Sequence, residues 1–199
     1  MLNNLSRRDF GVLGLGALAL GVAPRSATAL TVDEASALVG KLIGEINTVI
    51  NSGASESAMF GKFEGIFSRY ADENYIALSA LGPAGRQASA AQKAAFTTAF
   101  KRYLAVKYGK RFREFIGGKI EVTDAHPLKS FYEVVSVAKL QGSSPFDVRW
   151  HVSDKSGQKR FFNIIIEGVN MLASERAEIG ALLDKNGGNI DKLIAALKA

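Results

Sequence analysis

The amino-acid sequence predicts an α+β domain: an antiparallel four-stranded sheet wrapped on one face by helices. Three observations lead there. Apolar side chains recur at helical three-and-four spacing from residue 31 to residue 116, the period drops to two between Gly118 and Glu167, and helical spacing returns after Ser174. Short polar or Gly/Pro-bearing turns join the period-two segments, which makes consecutive strands antiparallel neighbours. The strand Pro145–Ser153 places Phe146, Val148, Trp150 and Val152 on one face and Asp147, Arg149, His151 and Ser153 on the other, so the apolar face needs a helical cover.

Ahead of this domain, residues 1–29 read as an export signal. Arg7-Arg8-Asp9-Phe10 precedes an uncharged run from Gly11 to Val22, and Ala27-Thr28-Ala29 supplies a small-residue cleavage site. Such a run rises only about 18 Å as a helix, against roughly 30 Å of hydrocarbon, which is too short for a span. The paired Arg7 and Arg8 and the glycine-rich apolar run are those of a twin-arginine signal, with cleavage after Ala29. The domain proper is then residues 30–199, a single unit with a substantial core and no second long apolar run.

The first helix opens on a capping box, Thr31-Val-Asp-Glu34, and runs with apolar Val32, Ala35, Leu38, Val39, Leu42, Ile43, Ile46, Val49 and Ile50 to a stop at Asn51-Ser-Gly53. Ser55–Leu81 carries two helical stripes, one through Met59, Phe63, Ile66, Phe67 and Tyr70 and one through Tyr75, Ile76, Leu78 and Leu81, which Gly82-Pro83 closes. A second capping box, Ser89 to Gln92, starts a long helix reaching about Ile116, with Phe96, Phe100, Leu104, Tyr108, Phe112 and Phe115 as an aromatic ladder. Strands follow at Lys119–Thr123, Phe131–Leu140, Pro145–Ser153 and Gln158–Glu167. The turns between them are Asp124-Ala-His-Pro127, Gln141–Ser144 and Asp154–Gly157. Two helices, Ser174–Lys185 and Asn189–Lys198, end the chain on either side of Asn186-Gly-Gly188.

Composition narrows the function. The chain holds no Cys, which removes disulfides, thiolate nucleophiles and Cys-ligated metals. Its formal charge of +6 falls to +4 once the signal's three Arg and one Asp are removed, and bases are interleaved with acids outside Lys101–Arg113, so nucleic acid is not a partner. His126, on a turn, and His151, on the polar strand face, fit no metal-ligand spacing and read as solvated surface. No nucleophile elbow or phosphate cradle occurs. Carboxylates such as those of Glu175-Arg176 and Asp191-Lys192 read as solvated faces, while Glu167, after three Ile, reads as a partly buried pair or cap. The positive signal is apolar: of twelve Phe, all but Phe10 lie in the domain, concentrated on the middle helices and the apolar sheet face. The plain account of this is a packed core; the same arrangement could line a cavity between sheet and helices, and composition does not separate the two.

Three stretches carry a family resemblance: Ala88–Leu104 with its Phe96-x-x-x-Phe100-x-x-Tyr103-Leu104 core, Asn163–Met171 with Glu167-Gly-Val-Asn-Met171, and Gly180–Leu183 with Ile190–Lys198. Together with Phe67–Gly82 they resemble the MlaC, or toluene-tolerance, family of periplasmic phospholipid-binding proteins, in order and over nearly the whole domain. The resemblance implies a cone-shaped fold related to nuclear-transport-factor-like domains, with acyl chains held in an apolar cavity between sheet and helices. It implies a soluble, monomeric periplasmic carrier, not an enzyme and without a cofactor. This carrier would shuttle phospholipid between an outer-membrane lipoprotein complex and an inner-membrane ABC-type lipid transporter, so maintaining outer-membrane lipid asymmetry. Two departures stand: the family usually uses the general secretory route, and the charged loops between Gly117 and Gln158 differ, so no partner-contact residue is carried over.

Two acyl chains of roughly 16 carbons expose about 30 methylenes, and at about 0.8 kcal/mol each their hydration costs on the order of 25 kcal/mol. A carrier therefore has to enclose both tails, while the headgroup can stay wet. The candidate pocket wall is Phe67, Tyr70, Ile76, Leu81, Phe100, Tyr103, Leu104, Val148, Trp150, Val152, Ile164, Ile166 and Val169. The alternatives are an enzyme for a small apolar substrate on the same fold and a carrier of another amphiphile, such as a hopanoid or quinone.

Overall fold

The structure, a computed structural model, describes residues 29–112 and 115–198, and the side chains of all of these but Arg111 and Phe112. The export-signal residues Arg7, Arg8 and Ala27 lie outside the described residues, and Ala29 is exposed. The order is α1 (Val32–Ile50), α2 (Glu56–Tyr70), α3 (Glu73–Leu81), α4 (Ala84–Gln87), α5 (Ala90–Phe112), β1 (Lys119–Leu128), β2 (Phe131–Lys139), β3 (Phe146–Ser153), β4 (Arg160–Ile166), β5 (Val169–Asn170), α6 (Met171–Lys185) and α7 (Ile190–Ala196). The strands form one antiparallel meander in the order β1-β2-β3-β4-β5. This is the α+β plan read from the sequence, with one strand more.

Both expected capping boxes form. Thr31 and Glu34 exchange side-chain and backbone bonds at the start of α1, and Ser89 and Gln92 do the same at α5. The turn α4, past Gly82-Pro83, carries no signal in the sequence beyond the break itself. Helix α6 begins three residues before Ser174, because the Asn170 side chain accepts from Ala173 N and caps it.

The sheet departs from expectation at two places. The segment Asp124–Pro127 is strand and not turn: β1 continues through a bulge at Thr123 to Leu128, and the chain reverses at Lys129-Ser130, with Lys129 in the left-handed region at φ 56°. Pro127 is tolerated there because β1 is an edge strand. Beyond β4, Glu167 (φ 49°) and Gly168 (φ 78°) make a two-residue turn with both φ positive, which a type I′ hairpin requires, and the chain returns as β5. Glu167 is accordingly exposed at a turn tip and is neither a buried pair nor a cap.

Helix α1 lies against β1 and β2, α2 packs on α1 and α5, and α3 sits between α5 and α6. The docking of α1 is specific. Asn47 of α1 donates to Ile120 O at 3.1 Å and accepts from Ile120 N at 3.2 Å, so one amide satisfies both backbone groups of Ile120 on the edge strand β1. On the covered face Val134, Ser136 and Ala138 of β2 and Val148, Trp150 and Val152 of β3 are buried. The polar intruder is explained by its neighbours: Trp150 Nε1–H donates to Ser136 Oγ at 2.9 Å, and the Ser136 hydroxyl donates to Val148 O at 2.9 Å.

Ser136→Ala should leave the indole N–H buried without an acceptor and lower stability by about 1–3 kcal/mol, measured as a shift of the urea unfolding midpoint at unchanged slope.

Candidate apolar cavity between sheet and helices

An apolar cavity opens where the sheet face and the helices do not meet. Its sheet wall is Val148 and Trp150 of β3 with Ile164 and Ile166 of β4. The helical walls are Leu42 and Ile46 of α1, Phe63, Ile66 and Phe67 of α2, Ile76 of α3, and Leu104, Ala105, Tyr108 and Gly109 of α5. Met171, Leu172 and Glu175 of α6 complete it. The cavity volume is about 150 Å³, and the cavity is partly open to solvent.

Each wall position follows from a local pattern. On β3 and β4 the pleat sends alternate residues inward, so Val148, Trp150, Ile164 and Ile166 face the helices. A bulge between His151 and Val152 lets Phe161 join the same face against Trp150, ring centroids 5.6 Å apart at 81°. On α5 the four-residue spacing carries Leu104 and Tyr108 to the cavity, while Phe96 and Phe100 stack further up the helix in the closed core.

Of the predicted wall, Phe67, Ile76, Leu104, Val148, Trp150, Ile164 and Ile166 line the cavity. The others do not. Val152 (0 % exposed), Leu81 and Phe100 are sealed in the core, where neighbouring layers leave no space beside them. The Tyr70 hydroxyl donates to Glu45 Oε1 at 2.6 Å, and the Tyr103 hydroxyl turns to Glu178. Val169, in the two-residue strand β5, is 53 % exposed. Phe63, Ile66, Leu42 and Ile46 belong to stripes visible in the sequence as core faces; no sequence signal separates the part of a stripe that meets another layer from the part that meets a void.

Two polar readings are corrected. Glu175 is 3 % exposed and not part of a solvated face: its Oε1 accepts from Lys107 Nζ at 2.7 Å and from the Tyr108 hydroxyl. Lys107 also bonds Glu178, to which Tyr103 donates. Burial opposes the Lys107 charge, but the hydrogen bonds to Glu175 and Glu178 outweigh it and hold the ammonium charged above its usual range. Burial first, then the bond to Glu178, pushes the Tyr103 hydroxyl up to about 12. Burial and the bond to Glu175 likewise raise Tyr108, so both phenols stay neutral. His151, expected on a solvated face, is 8 % exposed on the far side of the sheet. Its ring bonds Glu133 at 3.2 Å and Asn163 at 3.4 Å and rests against Phe131 and Phe162. His126, placed on β1 by the longer strand, is half-exposed between Asp124 and Glu133. No three His, Asp or Glu side chains converge as metal ligands among the described residues.

With this geometry in place, the comparisons are specific. A family model described as MlaC protein matches residues 37–199. The chain belongs to the MlaC family. Among solved structures, the phospholipid-binding protein from Ralstonia solanacearum, determined in complex with a phospholipid, aligns with a TM-score of 0.69 at 17% identity, covering 83% of this chain and 99% of that one. At that identity the likeness establishes a shared fold. No described helix of this MlaC-family chain is long and apolar enough to cross a membrane.

Gly109, on the α5 wall of the cavity, marks how closely α5 packs on α2. A Cβ there would overlap the Phe60 ring, 2.8 Å from Cε1, and that ring is only 8 % exposed. A helical Gly→Ala change ordinarily gains about 1 kcal/mol, whereas overpacking costs about 1–3 kcal/mol. Gly109→Ala should therefore lower the thermal midpoint, and a rise would refute the steric reading.

Proposed function

We propose that this MlaC-family chain is a periplasmic carrier that binds phospholipid by its acyl chains and shuttles it between an outer-membrane lipoprotein complex and an inner-membrane ABC-type lipid transporter. The observation that carries this reading is the cavity: apolar walls from one sheet face and five helices, open on one side. Burial of tails against such walls recovers the hydration cost that would strand a free lipid in water. The shared fold with a protein solved holding a phospholipid adds to it. Wall residues are almost wholly aliphatic or aromatic, which suits binding rather than turnover and favours a carrier over an enzyme.

The cavity has room for about one small aromatic molecule, so two acyl chains require it to widen on loading.

Export fits the same reading. The fold takes hold of the chain at Leu30, which is 4 % exposed, donates its backbone N–H to Asp154 Oδ2 at 2.8 Å and accepts from the Tyr132 hydroxyl at 2.6 Å. Cleavage after Ala29 would turn that amide into an α-ammonium facing a carboxylate, a stronger pair. An unanchored protein released there can serve two membranes by diffusion.

Two measurements test the proposal. Protein purified from bacteria should yield phospholipid on organic extraction and mass spectrometry, and Leu104→Trp, which takes up space in the cavity, should cut the bound lipid several-fold while the circular dichroism spectrum is retained. Recovery of a hopanoid or quinone would replace the ligand, and a repeatedly lipid-free protein would end the carrier reading. Separately, exchange of Arg7 and Arg8 for Lys should keep the protein out of the periplasmic fraction if the twin-arginine route is used.

A further inference from the structure

Three buried side chains in a row join the far face of the sheet to the cavity wall: Glu133 of β2, His151 of β3 and Asn163 of β4. His151 Nε2 lies 3.2 Å from Glu133 Oε2, its Nδ1 lies 3.4 Å from Asn163 Nδ2, and Asn163 Oδ1 accepts from Leu172 N at 3.1 Å. Asn163, Met171 and Leu172 all line the cavity, the last two in the first turn of α6.

Donor and acceptor roles leave this row a single protonation state. A backbone N–H only donates, so Leu172 fixes the Asn163 amide with Oδ1 toward α6 and its NH2 toward the ring. That NH2 likewise only donates. Nδ1 is therefore the bare acceptor, and the ring proton sits on Nε2, which donates to the Glu133 carboxylate. A second ring proton would set Nδ1–H against the Asn163 NH2, two donors face to face in a buried site. Turning the amide over repairs that contact and strips Leu172 N of its acceptor. The first N–H groups of a helix have no partner within it; Asn170 caps Ala173 N, and Asn163 is what satisfies Leu172 N.

The charges around the ring meet at Glu133. Arg149 of β3 donates to its Oε1 at 3.3 Å, and His126 of β1, itself bonded to Asp124, lies 3.4 Å from the same oxygen. Arg149 thus answers the carboxylate's charge while the ring stays neutral. Beside Asn163, β4 contributes the Phe162 ring, against which Tyr75 of α3 rests, and β2 contributes the Phe131 ring. We propose that His151 is a proton-sensitive latch: neutral, it holds the first turn of α6 through Asn163, and protonation in mild acid frees that turn and loosens the cavity wall. Histidine is the side chain whose charge changes between about pH 5 and 8. The bonds require the neutral ring, so acid loosens the wall and base does not. The latch concerns the wall and no particular ligand, so a failure to load phospholipid would end the carrier reading and leave this one standing.

The test is amide hydrogen exchange of the isotope-labelled full chain at about pH 7.5 and about pH 5.5, each rate divided by that of unstructured peptide so that the intrinsic effect of pH cancels. Loss of one buried hydrogen bond predicts that protection of Leu172 and its first-turn neighbours falls about tenfold at the lower pH, while α1 keeps its protection. Ring nitrogen shifts at the higher pH should show Nε2 protonated and Nδ1 bare. Asn163→Asp, whose carboxylate accepts from Leu172 N and from a protonated Nδ1 alike, should abolish the fall. Unchanged protection of α6, a fall shared equally by α1, an Nδ1–H ring at the higher pH, or a fall that Asn163→Asp leaves in place would each overturn the inference. The unaltered protein's exchange profile and ring shifts decide by themselves where the variant does not fold.

Discussion

A void has to be held open inside a folded protein, and most of the structure can be understood from that demand. At about 24 cal/mol per Å³, an unfilled space of about 150 Å³ costs up to about 3–4 kcal/mol relative to a filled core. That is a sizeable share of the stability of an ordinary domain. Stability to offset this comes from the packed core beside the cavity, where α1 and α5 bury Val39, Phe96 and Phe100 almost completely. A ligand that fills the space returns the lost contacts, so occupancy and stability are linked.

Polar bonds keep the layers from collapsing onto one another. Asn47 ties α1 to the backbone of β1, and Ser136 anchors the Trp150 ring in the sheet wall. Helix α6 meets α5 through Lys107, Tyr108 and Tyr103 against Glu175 and Glu178. Removal of one member of such a buried set strands the others, which is why the set is costly to disturb. The opposite sheet face works differently. There Glu133, 5 % exposed, gathers Arg149, His151 and His126, and aromatic rings shield the pair with His151. Asn163 joins the two sides, bonded to His151 on one and to the start of α6 on the other.

Period and capping were legible in the chain itself. The α1 and α5 capping boxes, the inward face of β3 and the closing helices stand where local chemistry puts them, because each depends on residues within one turn or one pleat. The β1 turn was not legible: Asp-Ala-His-Pro has turn composition, and only the edge position of β1 makes a strand proline harmless. Glu167 and Gly168 likewise read as the end of a strand until β5 pairs back on β4.

The sequence by itself determined the fold class, the family resemblance and the apolar character of the faces that meet, since these follow from periodic spacing and residue type. Which apolar residues face space and which face one another was decided by tertiary structure alone. Phe100 and Leu104 sit one helical turn apart on the same stripe, yet one is sealed and the other lines the cavity. The same holds for charge. Glu175 beside Arg176 looks solvated along the chain, and becomes a buried carboxylate only because α6 lays it against Lys107 and Tyr108, some 67 residues away. A void and a buried ion pair are both relations between distant segments, and no local pattern encodes them.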